Sequence, residues 1–454
     1  MQTNPEVFKA YDIRGVYGTD FDEELAYKLG LAFASFRAEE LGRREMKLVV
    51  ASDMRLSSPK LKDQIIRGMV EGGATVIDIG LASTPTFYFA VAHYNYDGGI
   101  QVSASHNPKD WNGFKIVRER ALPVGGNTGL DWLKYQVLEG QISLSAREGT
   151  VVKQDNVVAD QVAHDLQFAD ISKIKPLKVV IDTANGMGAQ YLEELFKHLP
   201  CELIKMNWEL DGTFPAHEAD PFKKENVVDL GKKVVEVGAD LGITTDGDAD
   251  RIFFVTETGE PIEAGITRAI LSKIFLAEKP GAKIAYDIRP GRITRDIIVA
   301  NGGVPIVTRV GHSLIKAQAI TEHAYFAGES SGHFFLNMDE GCYEVPMIVA
   351  LKILVELSTT GLKFSEYIKP YEKYFHSGEI NVRVTDAEAK IKTIRSTYRD
   401  GQENELDGIS VEFPDYWFNV RSSNTEPLLR LNLEATTKEI MEAKRDEILA
   451  IIKA

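Results

Sequence analysis

The chain of 454 residues is poor in cysteine and contains no long hydrophobic run. Its two cysteines, Cys201 and Cys342, cannot form a disulfide framework and lack the spacing of metal ligands, which predicts two buried, reduced thiols. No stretch of about 18 apolar residues occurs, so we expect no transmembrane helix. Residues 1–15 hold no apolar segment behind a basic start, which argues against a secretory signal. These absences predict a cytoplasmic protein with no membrane partner.

Positive charge is also scarce, because the net charge is −15. This balance disfavours nucleic-acid binding, which needs a basic surface. A small anionic substrate remains compatible, since local Arg, Lys and backbone N–H groups can bind it while the remaining surface stays acidic. Neither a Walker A sequence nor a G-x-G-x-x-G fingerprint occurs, so a nucleoside triphosphate or a dinucleotide is not indicated.

Three similar segments organise most of the chain, which is too long for a single hydrophobic core. Residues 47–53, 178–182 and 283–287 are apolar runs that end in aspartate, and a turn and a helical pattern follow each of them. Such runs are typical of parallel strands in α/β domains. From residue 379 onward, short alternating segments and a helical pattern at 437–454 predict antiparallel strands in a smaller α+β domain.

The first segment that could carry chemistry is the serine loop, residues 103–108 (SASHNP). It follows a predicted strand at 98–102, and a serine at the end of a strand is well placed for catalysis. We do not expect Ser105 to pair directly with His106, because adjacent residues on a turn rarely face each other. The structural alternative is a turn stabilised by Asn107 and Pro108.

The aspartate loop, residues 246–251 (DGDADR), places three carboxylates at alternate positions. Clustered carboxylates repel each other, and Mg²⁺ is a cation that takes a few carboxylates together with phosphate oxygens. A solvated acidic turn is the simpler alternative. An EF-hand loop is disfavoured, because its sixth position requires Gly and carries Arg251, although Glu257 occupies the twelfth position.

The glutamate loop, residues 328–333 (GESSGH), matches the G-x-S-x-G elbow of serine hydrolases with Ser330 as nucleophile. An elbow needs a helix after the serine, and the residues from His333 onward start a helix poorly. A loop that offers a carboxylate and hydroxyls to a sugar fits better. The arginine loop, residues 421–427 (RSSNTEP), concentrates side chains that can donate hydrogen bonds to a phosphate, although a polar surface loop would have the same composition.

In this order the four loops resemble those of the α-D-phosphohexomutase family, phosphomannomutase/phosphoglucomutase branch. Further matches lie at 8–15, 53–59, 182–186 and 310–316, so the resemblance covers residues 8 to 434. It implies four domains around a central cleft: three similar mixed α/β domains at 1–150, 151–256 and 257–368, and a C-terminal α+β domain at 369–454. Each domain would contribute one loop to the site.

The resemblance also implies roles for individual residues. Ser105 would be the phosphorylated serine, and its phosphate would bind Mg²⁺ together with Asp246, Asp248 and Asp250. Arg14, Lys115 and Arg251 would surround the transferring group, with Lys115 as the candidate for proton transfer. Substrate binding would fall to the remaining residues of the loops and their neighbours: Tyr11, Arg289, His312, Glu329, Ser330, Ser331, Gly332, His333, Arg421, Ser422, Ser423, Asn424 and Thr425.

The implied reaction moves a phosphoryl group between O1 and O6 of mannose or glucose phosphates, through a 1,6-bisphosphate that also serves as activator. GESSGH and the Asn of RSSNTEP fit this branch, whereas phosphoglucosamine mutases usually show GEQSGH and RPSGTEP. Arg289 and Arg309 depart from the Lys that is frequent in close members, and Ser330 departs from Met. The alternatives are phosphoglucosamine mutation and, from other classes, a serine hydrolase or a non-catalytic sugar-phosphate or calcium-binding protein. The expected partner is a phosphosugar, with the chain a monomer or small homo-oligomer.

Overall fold

The computed structural model of the chain describes residues 1–422 and 428–454, except for the side chain of Asn127. The chain forms two compact units, and each combines segments that are distant in sequence. The first unit comprises Met1–Ile262 and Gly332–Ser365, and the second comprises Glu263–Ser331 and Glu366–Ala454.

The strands, numbered in chain order, are β1 Ile13–Val16, β2 Lys47–Ser52, β3 Thr75–Leu81, β4 Gly98–Val102, β5 Trp111–Arg118, β6 Thr150–Lys153, β7 Lys178–Asp182, β8 Glu202–Met206, β9 Leu241–Thr245, β10 Ile252–Thr256, β11 Lys283–Asp287, β12 Val304–Thr308, β13 Phe326–Gly328, β14 Phe334–Asn337, β15 Cys342–Glu344, β16 Phe375–His376, β17 Ile380–Arg383, β18 Gln402–Asn404, β19 Ile409–Glu412, β20 Tyr416–Ser422 and β21 Leu428–Ala435.

The helices are α1 Glu23–Leu41, α2 Ser58–Glu71, α3 Thr84–His93, α4 Leu130–Leu138, α5 Val157–Asp165, α6 Gly188–Phe196, α7 Val228–Val237, α8 Ala264–Glu278, α9 Arg292–Ala300, α10 His312–Thr321, α11 Pro346–Thr360, α12 Phe364–Ile368, α13 Ala387–Thr397 and α14 Lys438–Lys453. No helix in the described part of the chain is long and apolar enough to cross a membrane.

The first unit contains a mixed sheet in the order β1-β5-β4-β2-β3-β6. β2 is parallel to β3 and β4, whereas β4 and β5 are antiparallel, so that the connection from β4 to β5 emerges at one edge. Alternate residues of β2 and β4, among them Val50 and Val102, join Leu29 and Phe33 of α1 in one buried core. This packing fixes the end of β4, where the serine loop begins.

A second sheet in the same unit has the order β10-β9-β7-β8. β7 is parallel to β8 and β9, and β9 is antiparallel to β10. The aspartate loop is the short connection between β9 and β10, both of which are almost entirely buried. The hairpin of β14 and β15 and the long helix α11 complete this unit.

The second unit contains the parallel strands β11, β12 and β13 and an antiparallel sheet in the order β16-β21-β20-β19-β18, in which β17 also pairs with β21. The three segments predicted as parallel strands are β2, β7 and β11, and the predicted C-terminal strands and helix are β17, β19, β21 and α14. The predicted fold class of three mixed α/β domains and a C-terminal α+β domain is therefore confirmed.

Two expectations need correction at this level. Cys342 is buried, but Cys201 is only half-buried, because it lies just before the strand β8 and not within a core. The EF-hand alternative is wrong, since the aspartate loop continues into strand β10 and the carboxylate of Glu257 accepts hydrogen bonds from the backbone and hydroxyl of Ser365.

Candidate active site

The serine loop holds Ser105 in a constrained position at the end of β4. Ser105 is 1% exposed and has a φ of 51°, a left-handed conformation that is uncommon for a residue with a side chain. Its backbone N–H donates to the hydroxyl of Ser103 at 2.9 Å, and its own hydroxyl donates to Asp246 Oδ2 at 2.6 Å. Such strain costs on the order of 1–3 kcal/mol and is concentrated at functional sites.

His106 contradicts the expectation that neighbouring residues on this turn would not meet. Its Nδ1 lies 3.2 Å from Ser105 Oγ, because the left-handed turn at Ser105 brings the two side chains to the same side. Burial, and then the positive charges of Arg251 and Arg14, hold the pKa of His106 well below its ordinary value. The imidazole is therefore neutral beside the serine oxygen.

The aspartate loop approaches the serine loop so closely that no side chain fits between them. A Cβ added to Gly247 would lie 2.5 Å from the carbonyl oxygen of Ser105, which explains the glycine. The next non-carboxylate position, Ala249, also has a left-handed φ of 59°. The alternation of Asp246, Asp248 and Asp250 with these small residues thus directs the carboxylates toward a common point.

The three carboxylates are buried together, and ligand oxygens of all three lie within 4.8 Å of one another. Burial, followed by the charges of Asp250 and Asp248, raises the pKa of Asp246 well above its ordinary value. Lys115 donates to Asp248 Oδ2 at 2.6 Å and to Asp250 Oδ2, and Thr84 Oγ1 donates to Asp248 Oδ2 at 2.6 Å. Lys115 compensates only part of the three carboxylate charges in this almost fully buried site.

This arrangement fits a divalent metal ion. Asp248 Oδ1 is completely buried and accepts no hydrogen bond from any residue that the structure describes, so an acceptor is left over within the cluster. Oxygen donors without nitrogen or sulfur suit hard cations, and a cation would remove the repulsion that raises the pKa of Asp246. The cluster is thus an acidic metal site, as the sequence predicted for these three residues.

Arg14 and Arg251 bring positive charge to the edge of the cluster. Arg14 donates to Asp12 Oδ2 at 2.6 Å and to the side-chain oxygen of Asn107 in the serine loop at 2.9 Å. Arg251 lies 3.8 Å from Asp246 Oδ2 through its Nε and 3.6 Å from Asp220 through its Nη1. The structure therefore brings the two predicted arginines next to the serine and aspartate loops.

His333 belongs to the same group, although it is 82 residues further along the chain than Arg251. Its Nε2 lies 3.1 Å from Asp250 Oδ1 and 3.4 Å from Arg251 Nε. Gly332 before it has a φ of 87° and approaches the ring of Phe253, which positions the turn into β14. Tyr11, another predicted residue of this unit, is half-buried in the turn before β1, next to Gly125.

Arg55 is a residue whose function the sequence did not reveal. It is buried, its Nε lies 3.2 Å from Asp53, and its guanidinium spans the serine loop. The Nη atoms donate to four backbone carbonyls of that loop and its continuation, at 2.8, 2.6, 2.7 and 2.9 Å: Ser105, Asn107, Pro108 and Trp111. The match at 53–59 was the available signal, but it did not specify this contact.

In the second unit, Glu329 follows β13 and is held by Arg289. Arg289 Nη2 donates to Glu329 Oε1 at 2.9 Å, and its Nε donates to Asp287 at 2.5 Å. Burial alone would lower the pKa of Arg289, but Asp287, Glu329 and Glu379 together raise it. A fixed, buried carboxylate at a loop is suited to bind hydroxyl groups of a sugar. The neighbouring Ser331 is buried as well.

Ser330 is not a hydrolase nucleophile. Its hydroxyl donates to Asp287 Oδ1 at 2.8 Å and accepts from Arg268 Nη1 at 3.0 Å, and its backbone N–H also donates to Asp287. The elbow geometry requires a helix after the serine, whereas strand β14 follows this one. The hydroxyl therefore supports the loop from behind through Asp287.

Arg421 ends the buried part of β20 and donates to Glu379 Oε2 at 2.5 Å, with Asp407 at 3.8 Å. Ser422 is exposed at the end of the strand. His312 is half-buried at the first position of α10, and Arg309 is exposed before it. The remaining predicted residues of the arginine loop lie outside the described residues: Ser423, Asn424 and Thr425.

Sequence comparison with known proteins finds matches to one family along most of the chain. Models of the phosphoglucomutase/phosphomannomutase family match the chain with alpha/beta/alpha domain I at 5–134, domain II at 159–259, domain III at 265–374 and the C-terminal domain at 379–451. A phosphomannomutase from Escherichia coli is 38% identical over 98% of this chain and 99% of its own. One from Methanocaldococcus jannaschii is 37% identical, covering 98% and 97%.

The fold leads to the same family. A crystal structure of a phosphoglucomutase/phosphomannomutase family protein from Burkholderia thailandensis superposes with a TM-score of 0.89 at 31% identity, covering 100% of this chain and 98% of the other. With all four family domains present and the acidic metal site formed, the chain belongs to the phosphoglucomutase/phosphomannomutase family and is a phosphohexose mutase.

Proposed function

We propose that the protein interconverts the 1-phosphates and 6-phosphates of mannose and glucose through a phosphoserine at Ser105. The observation that carries the proposal is the 2.6 Å contact between Ser105 Oγ and Asp246 in a cluster of three buried carboxylates. In the first half of the cycle, the bond between Ser105 Oγ and phosphorus breaks while a sugar hydroxyl forms a new bond to phosphorus. The resulting 1,6-bisphosphate then presents its other phosphate, which returns to Ser105.

Mg²⁺ is the cation proposed for Asp246, Asp248 and Asp250, and when bound it would neutralise charge on the transferring phosphoryl oxygens. Phosphoryl transfer depends mainly on alignment and charge compensation. Arg14 and Arg251 supply fixed positive charge at the border of the serine and aspartate loops. The buried surroundings strengthen these interactions relative to water and keep water from the phosphoserine.

Each half of the cycle also moves protons, so one group must alternate between base and acid. We assign the proton of the sugar hydroxyl to Lys115. Burial would lower its pKa, but Asp248 and Asp250 raise it well above the ordinary value. Lys115 can therefore act as a base only when a cation binds these two carboxylates. Lys115 would take this proton in the first half of the cycle and return it to the sugar oxygen in the second, while the neutral His106, at 3.2 Å from Ser105 Oγ, hydrogen-bonds the serine oxygen.

The sugar and phosphate contacts are proposed for residues of the glutamate and arginine loops. Glu329 and Ser331 would bind O3 and O4 of the sugar. Mannose and glucose differ only at C2, which these residues would not contact, so both sugars could react. Arg421, with Ser422, Ser423, Asn424 and Thr425, would bind the phosphate that is not being transferred. A trace of glucose or mannose 1,6-bisphosphate would phosphorylate Ser105 initially. The two cysteines and the phosphosugar substrate are consistent with the cytoplasm as the proposed compartment.

Phosphorus NMR tests this function directly. Purified protein with Mg²⁺ and a trace of glucose 1,6-bisphosphate is incubated with mannose 1-phosphate, glucose 1-phosphate or glucosamine 1-phosphate. We expect 6-phosphate signals from the first two sugars without inorganic phosphate. Inorganic phosphate alone would indicate a phosphatase, and turnover of glucosamine 1-phosphate only would establish the phosphoglucosamine alternative.

Arg55→Lys is expected to lower kcat about a hundredfold, because a lysine cannot hold four carbonyls in place and misplacement of a reacting group by 1 Å has effects of this size. Arg55 contacts the loop backbone and acts as a positioning residue. KM for the sugar phosphate should change less than kcat, and the rate of Ser105 phosphorylation by the 1,6-bisphosphate should fall in parallel.

Arg37→Lys is the matched control for Arg55. Arg37 is a buried arginine of the same unit that donates to a backbone carbonyl, that of Asp97, and to Glu40 and Glu119. Both variants should lose some stability, but only the Arg55 variant should lose turnover at temperatures where both are folded. Equal kcat losses in the two variants would show that Arg55 acts only through stability.

Ser330→Ala should keep turnover within about tenfold of the wild type, since the two hydrogen bonds it loses, to Asp287 and from Arg268, are worth about 1 kcal/mol net each and support the loop from behind. Ser331→Ala serves as comparison, because Ser331 is a proposed sugar contact, and its KM should rise more. Initial rates at saturating and limiting sugar phosphate distinguish these effects. Loss of all activity in Ser330→Ala would show that turnover depends on the support that this hydroxyl gives to the loop through Asp287.

A further inference from the structure

A second cluster of metal-ligating side chains lies in the first unit, outside the active site. His93 is in the last turn of α3, His164 is in the last turn of α5, and Glu340 is in the tight turn between β14 and β15. One ligand atom from each lies within 4.8 Å of the other two. Sequence separations of 71 and 176 residues mean that only the fold brings these three groups together.

The imidazoles are already oriented. The ring of His93 stacks on Phe89 with centroids 4.6 Å apart, and the ring of His164 lies 5.2 Å from Phe168. His164 Nδ1 is 2.7 Å from Asp165 Oδ1, and its Nε2 is 2.8 Å from Glu340 Oε1. Zinc-ligating histidines typically hydrogen-bond a carboxylate through one ring nitrogen and bind the metal through the other. His164 has this arrangement, with Asp165 on one side and the other potential ligands on the opposite side.

We propose that His93, His164 and Glu340 bind a divalent transition metal, Zn²⁺ in particular, with Asp165 orienting His164. Two nitrogens and one oxygen form a donor set that favours Zn²⁺ over Mg²⁺, in contrast to the all-oxygen donors of the active site. Donor atoms of a tetrahedral zinc site are roughly 3.4 Å apart. His164 Nε2 and Glu340 Oε1, which are 2.8 Å apart, must therefore separate slightly. His93 is exposed and the other two residues are half-buried, which leaves room for this movement.

An ion pair is the alternative explanation for part of this cluster. Burial would lower the pKa of His164, but its contacts with Asp165 and Glu340 raise it to about 9, so that a charged imidazolium bridges the two carboxylates in the absence of metal. Such a bridge does not require His93, whose ligand atom converges on the same point. The metal would join α3, α5 and the β14–β15 turn, and so hold three separate segments of the unit together.

Titration of the full-length protein with Co²⁺ in a large excess of Mg²⁺ tests the site, because Mg²⁺ occupies oxygen-donor sites while Co²⁺ absorbs visibly with nitrogen ligands. We expect one Co²⁺ per chain, displaced by Zn²⁺, and a higher unfolding temperature with Zn²⁺. His93→Ala and Glu340→Gln should each weaken Co²⁺ binding at least tenfold, since even residues behind the ligands have effects of 10- to 100-fold. Glu340→Gln keeps the oxygen that accepts from Tyr343.

His198→Ala is the matched control, because His198 is an exposed histidine with a carboxylate, Glu194, at 3.9 Å. This variant should bind Co²⁺ as the wild type does. Absence of stoichiometric binding in the wild type would overturn the proposal. So would unchanged binding in both His93→Ala and Glu340→Gln with their metal-free folding intact, or an equal loss of binding in His198→Ala.

Discussion

Ser105→Ala should reduce mutase turnover by a factor on the order of 10⁴ or more, the size seen when a nucleophile is removed from a site whose residues act as a unit. The hydroxyl that donates to Asp246 is the only atom lost, and the buried loop keeps its backbone contacts with Arg55. Incubation with 1,6-bisphosphate should add one phosphoryl group to the wild type and none to the variant. Intact-protein mass spectrometry measures this addition independently of turnover.

Ser103→Ala provides the control for this experiment. Ser103 is equally buried in the same loop, and its hydroxyl accepts the backbone N–H of Ser105 at 2.9 Å. Loss of that hydrogen bond should cost about 1 kcal/mol, or roughly a fivefold change in rate, and phosphorylation should persist. Retained activity in Ser105→Ala would refute the phosphoserine, whereas equal losses in both variants would indicate that the loop needs only its shape.

The local elements were predictable because they follow from periodicity. The apolar runs at 47–53 and 178–182 could bury both faces only inside a parallel sheet, and they form β2 and β7. The aspartate loop was predictable as a metal site because carboxylates at alternate positions across small residues have few other uses. The resemblance supplied the order of the four loops, which no single pattern could give.

Tertiary contacts between distant segments were not predictable in the same way. Arg55 contacts the loop at 105–111 through backbone carbonyls, and a carbonyl acceptor leaves no mark on the sequence. The contact between Ser105 and His106 depends on a left-handed φ, which a serine adopts only when its surroundings impose it. His93 and Glu340 likewise meet only after three segments of the first unit have packed.

The metal site leads to the second large expected effect. At neutral pH, Asp246→Asn should abolish the dependence of stability on Mg²⁺ while leaving the metal-free protein as stable as the wild type, or more so. The pKa of Asp246 is raised in the folded chain by burial, Asp250 and Asp248, so the folded state binds a proton more tightly than the unfolded state. The wild type therefore loses stability as the pH rises from the ordinary pKa of an aspartate through the raised pKa of Asp246. Asparagine does not ionise, so the variant does not show this loss.

Mg²⁺ at a hundred times its Kd should stabilise the wild type by about 2.7 kcal/mol and should not stabilise Asp246→Asn. A chelator should lower wild-type turnover by about 10² to 10⁴-fold, which corresponds to several kcal/mol of charge stabilisation, and Mg²⁺ should restore it. Asp220→Asn is the control, because Asp220 lies 3.6 Å from Arg251 but outside the cluster. Thermal unfolding with and without Mg²⁺ separates the two variants. Stabilisation by Mg²⁺ that survives in Asp246→Asn would place the cation elsewhere. Loss of this stabilisation in Asp220→Asn as well would assign the effect to the overall charge of the loop.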